Sequence, residues 1–201
     1  RLAEILAAAE KKFGRVIYVV SDEPYRFLNF DGVELPGALE VFPHGVVIGS
    51  YSKNLSLAGE RLGYIAVSPR LEDAAELMAL ILCNRILGFV NAPALAQQIL
   101  MECMDSQVDL DIYRERRDAM ASILSDAGIE FTMPRGAFYF FPKSPTADEG
   151  AFIQALLEER VLAVPGRGFG CPGYVRFAFC VDTKVIEGAR QGVKNAVAKL
   201  G

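Results

Sequence analysis

Three observations predict an α/β fold for the first half of the chain and an α+β fold for the second. The short apolar runs Val16–Val20 and Val46–Gly49 read as buried strands, as strands of parallel sheets do. Ahead of them Leu2, Ile5, Leu6, Ala9 and Phe13 follow helical spacing, and Gly14 is placed to end that helix. Beyond about Ser106 the character changes to short strands, tight turns and isolated helices. The expected organisation is a large domain over residues 1–106, holding strands of a mostly parallel sheet with helices, and a C-terminal small domain over residues 107–201.

The remaining elements follow in order. Leu62–Val67 reads as a strand stopped by Ser68-Pro69, and Leu71–Leu87 as a strongly apolar helix. Asn91-Ala92-Pro93 breaks that pattern and starts the next helix, with Pro near its first turn. An amphipathic stretch runs from Val108 to Ala127 and stops at Gly128. Ile129–Met133 and Ala137–Phe141 read as short strands joined through Pro134-Arg135-Gly136. Asp148–Arg160 is expected to be a helix with Phe152, Ile153, Leu156 and Leu157 inward. Val161–Val164 and Tyr174–Cys180 read as strands, and Thr183–Leu200 as the closing helix.

Composition narrows the function. A net charge of −4 from 21 basic and 25 acidic residues argues against a nucleic-acid partner. Arg114, Arg116 and Arg117 alternate with Glu115 and Asp118, as on a solvated helix face. The long apolar stretches carry Pro, Gly or charge within a membrane-span length, so no membrane partner is expected. Cys83, Cys103, Cys171 and Cys180 lack C-x-x-C spacing, and His44 is the single histidine. That set argues against a zinc site and against Ser-His-Asp or Cys-His catalysis, and it suits a reducing cytoplasm. The chain opens inside a β-α-β series, without a leader pattern or an initiator Met, so Arg1 is expected not to be the native start.

The chemistry gathers at the end of the Val46–Gly49 strand. Ser50-Tyr51-Ser52-Lys53, with Arg61 eight residues on in Gly59-Glu60-Arg61-Leu62-Gly63, offers two hydroxyls, an amine and a guanidinium. The amine can bond a carbonyl carbon, and the hydroxyls and guanidinium can hold a phosphate. Ligand sites in open α/β sheets lie beyond the carboxyl ends of strands. If the chain stays extended, Ser50 and Ser52 share a face. Asp22, in Ser21-Asp22-Glu23-Pro24-Tyr25, follows the Val16–Val20 strand, and because strand ends of a parallel sheet gather on one edge it can face the same pocket as Lys53. A carboxylate there would stabilise a protonated pyridine nitrogen, and Tyr25 could donate to a ring oxygen.

These motifs, in this order, resemble the class I/II aminotransferases, pyridoxal-phosphate enzymes of the aspartate aminotransferase fold (fold-type I). The similar tail comprises Val164-Pro165-Gly166, Phe169-Gly170 and Val175-Arg176-Phe177-Ala178-Phe179. The resemblance implies an enzyme that moves an amino group from an amino acid to a 2-oxo acid, and the cysteine pattern suits a cytoplasmic location. It implies pyridoxal 5'-phosphate held as a Schiff base on Lys53, which then moves protons. Asp22 would meet the pyridine nitrogen, Tyr25 the ring hydroxyl, and Ser50, Ser52 and Arg61 the phosphate. Arg176, flanked by Val175 and Phe177, would grip the substrate α-carboxylate with its planar fork. Asn91-Ala92-Pro93 is similar to a family loop that reaches the partner's cofactor, implying a homodimer.

Gly166-Arg167-Gly168-Phe169-Gly170 leads into a strand instead of a helix, so it fails as a dinucleotide loop and is expected to be a mobile loop beside the substrate. The resemblance also implies that about half the family's length is absent, including its glycine-rich phosphate loop. The large domain would then be partial, the isolated chain inactive, and its exposed strands either paired with a second copy or covered by its own N-terminal half. A C–S lyase and a cyclopropane-forming synthase of the same family share the lysine motif and stay open as alternatives, as does a ligand-sensing regulatory domain whose aminotransferase-like body binds the cofactor for control.

Overall fold

The computed structural model describes residues 1–71, 74–86 and 91–200. The chain divides into two compact units, one of residues 1–27 and 33–108, the other of 28–32 and 109–201.

The first unit opens with helix α1 (Leu2–Phe13), closed by Gly14 at φ 65°, whose N–H bonds Glu10 O at 2.8 Å. Leu2, Ile5 and Phe13 of α1 are all more than half exposed. Strand β1 (Val19–Asp22) begins three residues later than the apolar run predicts. The Ile17 N–H is diverted to Glu10 Oε1 at 2.8 Å, and the ladder begins only where the Val19 N–H reaches His44 O. The short helix α2 (Ala38–Val41) leads to strand β2 (Gly45–Ser50), which lies parallel to β1 with Val19 opposite Gly45 and Asp22 opposite Ile48. After the four-residue helix α3 (Tyr51–Asn54), strand β3 (Gly63–Val67) returns antiparallel to β2. The sheet order is β1-β2-β3, with Val46 and Val47 of the central strand buried.

Helices α4 (Ala74–Ile86) and α5 (Ala94–Cys103) follow, the latter entered through Pro93. Residues 72, 73 and 87 of the expected Leu71–Leu87 helix lie outside the described residues.

The second unit begins with α6 (Leu110–Asp126), capped by Asp109 Oδ1 on the Asp111 N–H at 2.9 Å and stopped at Gly128, φ 71°. Its buried face is Tyr113, Met120, Ile123 and Leu124. Ile129–Met133, expected as a strand, forms none, and the next strand is only β4 (Tyr139–Phe140). The backbone before β4 bonds instead to the segment 28–32. Phe30 N–H reaches Arg135 O, Ala137 N–H reaches Leu28 O, and Asn29 bridges Gly136. No pattern in the sequence marks that pairing.

Helix α7 (Glu149–Glu158) is capped by Asp148 and buries Phe152, Ala155 and Leu156. Leu157, expected inward, is 51% exposed, because five residues past Phe152 is about 140° around a helix. Strands β5 (Val164–Pro165) and β6 (Val175–Ala178) complete a second sheet of order β4-β6-β5, antiparallel throughout. The expected closing helix is two, α8 (Thr183–Gly188) and α9 (Arg190–Ala198), both packed on α6. The break falls beside Gly188, a weak helix former, where the Ala189 N–H tightens onto Ile186 O.

One buried carboxylate ties this unit together. Arg167 Nε at 2.7 Å and the Gly173 N–H at 3.0 Å hold the Glu149 carboxyl down at about 2. A lowered carboxyl stabilises the fold above its unfolded value near 4.5, and that stability fades as pH falls towards 2. The gap in urea midpoint between the native chain and Glu149→Gln should therefore be widest at neutral pH. It should close as acid titrations approach pH 2.

Among the described residues no helix is long and apolar enough to cross a membrane, and no group of three or more His, Cys, Asp or Glu side chains could hold a metal ion.

Candidate functional site

Parallel pairing of β1 and β2 brings Asp22 and Ser50 to one edge of the first sheet. Asp22 sits opposite Ile48, and Ser50 lies two residues further along β2, so both project from the same face. The Glu23 N–H continues the ladder to Ile48 O at 2.9 Å.

The chain does not stay extended through Ser52, as the sequence reading supposed. Ser50 is the last extended residue, φ −145°, and caps α3. Its Oγ accepts the Ser52 N–H at 3.2 Å and donates to Ser52 Oγ at 2.8 Å. A serine in extended geometry ahead of a turn is a favoured N-cap, and this competes successfully with strand continuation. The hydroxyls still converge, through a cap instead of a shared strand face. Lys53 is half-buried in the last turn of α3.

Arg61 reaches the site by an unusual backbone. It ends the 3-10 turn Ala58–Glu60 at φ 53°, ψ 46°, in the left-handed region, and its Nη1 bonds Ala58 O at 2.9 Å. Gly63, opposite Ser50, is fixed by contact, since a Cβ there would lie 2.5 Å from Gly49 O. A Cβ on Gly49 would lie 2.2 Å from the Tyr64 ring. The small residues of the motif thus let β3 close on β2 just behind the serine pair.

Three hollows run along this edge. Asp22 and Tyr25 line one of about 300 Å³, Ser50 and Tyr51 one of about 520 Å³, and Arg61 and Gly63 one of about 540 Å³. The first two share Glu23 and Arg26, and the last two share Tyr64. Lys53 lines none of the three. Glu23 and Tyr64 are the residues the sequence reading missed. Glu23 Oε1 accepts from Ser21 Oγ at 2.8 Å, and its Oε2 pairs with Arg26 at 3.3 Å. The Tyr64 ring lies 5.7 Å from that of Tyr51, whose hydroxyl pKa is raised by burial and then by Tyr64. The signal for Tyr64 was its place just after Gly63, opposite Gly49.

Arg176 belongs to the second unit, on the central strand β6 opposite Val164. Its guanidinium lies between two rings, 4.5 Å from the centroid of Tyr139 and 4.3 Å from that of Phe169. Its Nε is buried without a hydrogen-bond partner. A buried charged donor left unsatisfied is costly, and an arriving carboxylate would relieve it.

A lysine motif at the carboxyl end of a parallel strand, followed by an antiparallel α+β unit, is the arrangement that the fold-type I resemblance implies. The family model for aminotransferase class I and II matches residues 1–193, and the chain belongs to that family. It is 29% identical to the aspartate aminotransferase of Thermotoga maritima over 90% of this chain and 48% of that one. It is 31% identical to the putative aminotransferase YugH of Bacillus subtilis, over 91% and 49%. An amino transferase crystal structure from Eubacterium rectale superposes with a TM-score of 0.90 at 39% identity, covering 98% of this chain and 50% of the other. The chain thus spans about half the length of the curated relatives it matches.

Proposed function

We propose that the protein transfers an amino group from an amino acid to a 2-oxo acid with pyridoxal 5'-phosphate as cofactor. The observation that carries this reading is the edge where Ser50, Ser52, Lys53 and Arg61 follow β2 while Asp22 ends β1 alongside. The donor set fits the group, with paired hydroxyls and a guanidinium for a phosphate, an amine for an aldehyde and a carboxylate for a pyridinium. When bound, the cofactor supplies an electron sink for the pair left when the substrate α-carbon loses its proton.

Lys53 would hold the cofactor through its amine, and the same Nζ, once free, would be the base that takes and returns the substrate α-proton. The Asp22 carboxylate would favour a protonated ring nitrogen by its charge. Ser50, Ser52 and Arg61 would hold the phosphate, and Tyr25 would donate to the ring hydroxyl oxygen. Arg176 fixes the α-carboxylate of both substrates, its fork oriented by the flanking rings. The protein works as a homodimer, in keeping with the resemblance of Asn91-Ala92-Pro93 to the family's intersubunit loop.

Relatives named aspartate aminotransferase make L-aspartate with 2-oxoglutarate the first pair to assay in the whole protein. Glutamate formation that depends on added pyridoxal phosphate supports the proposal; its absence, together with release of homocysteine, pyruvate and ammonia from L-cystathionine and water, overturns it. Arg176→Lys should raise KM for both substrates by about 10- to 100-fold, the loss of one charged, two-pronged contact. Steady-state kinetics with each substrate varied in turn checks it.

A further inference from the structure

Glu149 is a buried carboxylate of the second unit. It opens α7, is 2% exposed, and its two oxygens reach separate stretches of chain. Oε1 accepts from Arg167 Nε at 2.7 Å, and Oε2 accepts from the Gly173 N–H at 3.0 Å. Arg167 also touches Asp148 at 3.4 Å through Nη2.

Arg167 lies within the 3-10 turn Gly166–Phe169, and Gly173 lies on the return leg into β6. The turn is closed on itself. Gly170 N–H bonds Arg167 O at 3.2 Å, Cys171 N–H bonds Gly166 O at 3.0 Å, and Gly166 N–H bonds Tyr174 O at 2.7 Å. Gly166 admits no side chain, since a Cβ there would lie 2.3 Å from Cys171 O. The segment expected as a mobile loop is therefore a small closed body, and Glu149 is the side chain that fastens both of its ends. What that body carries is Phe169, whose ring lies 4.3 Å from Arg176 Cζ and meets the Phe141 ring edge-on at 6.1 Å.

We propose that Glu149 is a positioning residue for carboxylate recognition: by holding Arg167 and Gly173 it sets the Phe169 ring against Arg176 and so fixes the plane of the guanidinium. The proposal rests on the reading of Arg176 as the carboxylate site. A planar fork binds a carboxylate through two parallel bonds only when its plane is set beforehand, and a stacked ring sets it. Removal of Glu149 would leave Arg176 in place on β6 against Tyr139 alone, its guanidinium no longer held in plane from the Phe169 side. A role in stability alone predicts a weaker fold with an unchanged Arg176.

The test uses the full chain, isotopically labelled, with pyruvate as the carboxylate probe. The Hδ and Nε–H resonances of Arg176 sit under two ring currents and report the stack directly by NMR. Glu149→Gln and Arg167→Met should each move those resonances towards their unstacked positions and weaken pyruvate binding about fivefold. Arg167→Lys, which keeps a cation for Glu149, should recover most of both effects. The Arg167 side chain is 59% exposed, so Arg167→Met decides the matter if Glu149→Gln does not fold. Unchanged resonances in a folded Arg167→Met chain overturn the proposal. So does loss of the stack with pyruvate affinity intact. If pyruvate fails to move the Arg176 resonances of the unaltered chain, the reading of Arg176 falls instead, and the resonance comparison still decides whether Glu149 sets the ring.

Discussion

Lys53→Ala is expected to abolish reductive trapping of pyridoxal phosphate on the chain and to slow amino transfer by the whole protein about 10²- to 10⁴-fold or more. The expectation follows from where α3 places this amine. Ser50 ends β2 and caps α3, so Lys53 is delivered one short turn beyond a strand buried at Val46 and Val47. A side chain anchored so close to a rigid strand can be held near one carbonyl carbon, which is where most of a catalytic amine's advantage arises. Lys53→Arg should fail as fully, because a guanidinium keeps its proton and is a poor nucleophile. Borohydride treatment followed by intact mass measurement reads the adduct, and peptide mapping locates it. An adduct that persists in Lys53→Ala on another lysine would refute the assignment and, with it, the reading of the whole edge.

The second large effect is structural. Phe140→Ala should lower the stability of the second unit by about 3–5 kcal/mol. Phe140 is fully buried on β4, with the Phe131 ring edge-on at 5.1 Å and the Phe179 ring at 5.5 Å. Its removal strips two aromatic contacts and opens a cavity that neighbours from different elements cannot jointly fill. Domains carry only about 5–15 kcal/mol in total, so the loss should show as a large drop in urea midpoint. Leu162→Ala provides the contrast. That residue is 82% exposed, and its substitution should stay within about 0.5 kcal/mol. Equal midpoints for the two variants would mean that the aromatic cluster is not the core of this unit.

What the sequence made legible was whatever local chemistry dictates. Helix α1 and its glycine stop, β2, the start of α7 near Asp148 and the lysine motif all follow from spacing or from a residue's own backbone preference. What it hid depends on partners far along the chain. Ile129–Met133 has strand-like composition, yet its neighbourhood spends its hydrogen bonds on residues 28–30 and gains no ladder. Periodicity cannot report which segment comes to lie alongside. The Ser50 cap was readable in principle, since serine ahead of a turn is a known helix start, but the apolar run before it pulled the reading towards strand. The setting of Arg176 was beyond reach, because Phe169 comes from a 3-10 turn and Tyr139 from a two-residue strand whose pairing no pattern fixes. Glu149 looked like any acid in a first helical turn, and only the partner 18 residues away distinguishes it.

The segment 28–32 has a consequence for how the polypeptide is made. Leu28 and Phe30 are buried in the second unit, and the ion pair of Asp31 with Arg135 spans 104 residues of sequence. During synthesis this segment leaves the ribosome well before the turn at Arg135-Gly136 that receives it exists. The second unit therefore cannot complete itself from its own contiguous residues, and its oldest piece is among the last to lock. Closure over so long an intervening chain carries an entropic penalty and slows assembly. A gene cut at residue 109 would yield a second unit with an open slot where Leu28 and Phe30 belong, and a peptide of residues 28–32 supplied separately would be its missing part.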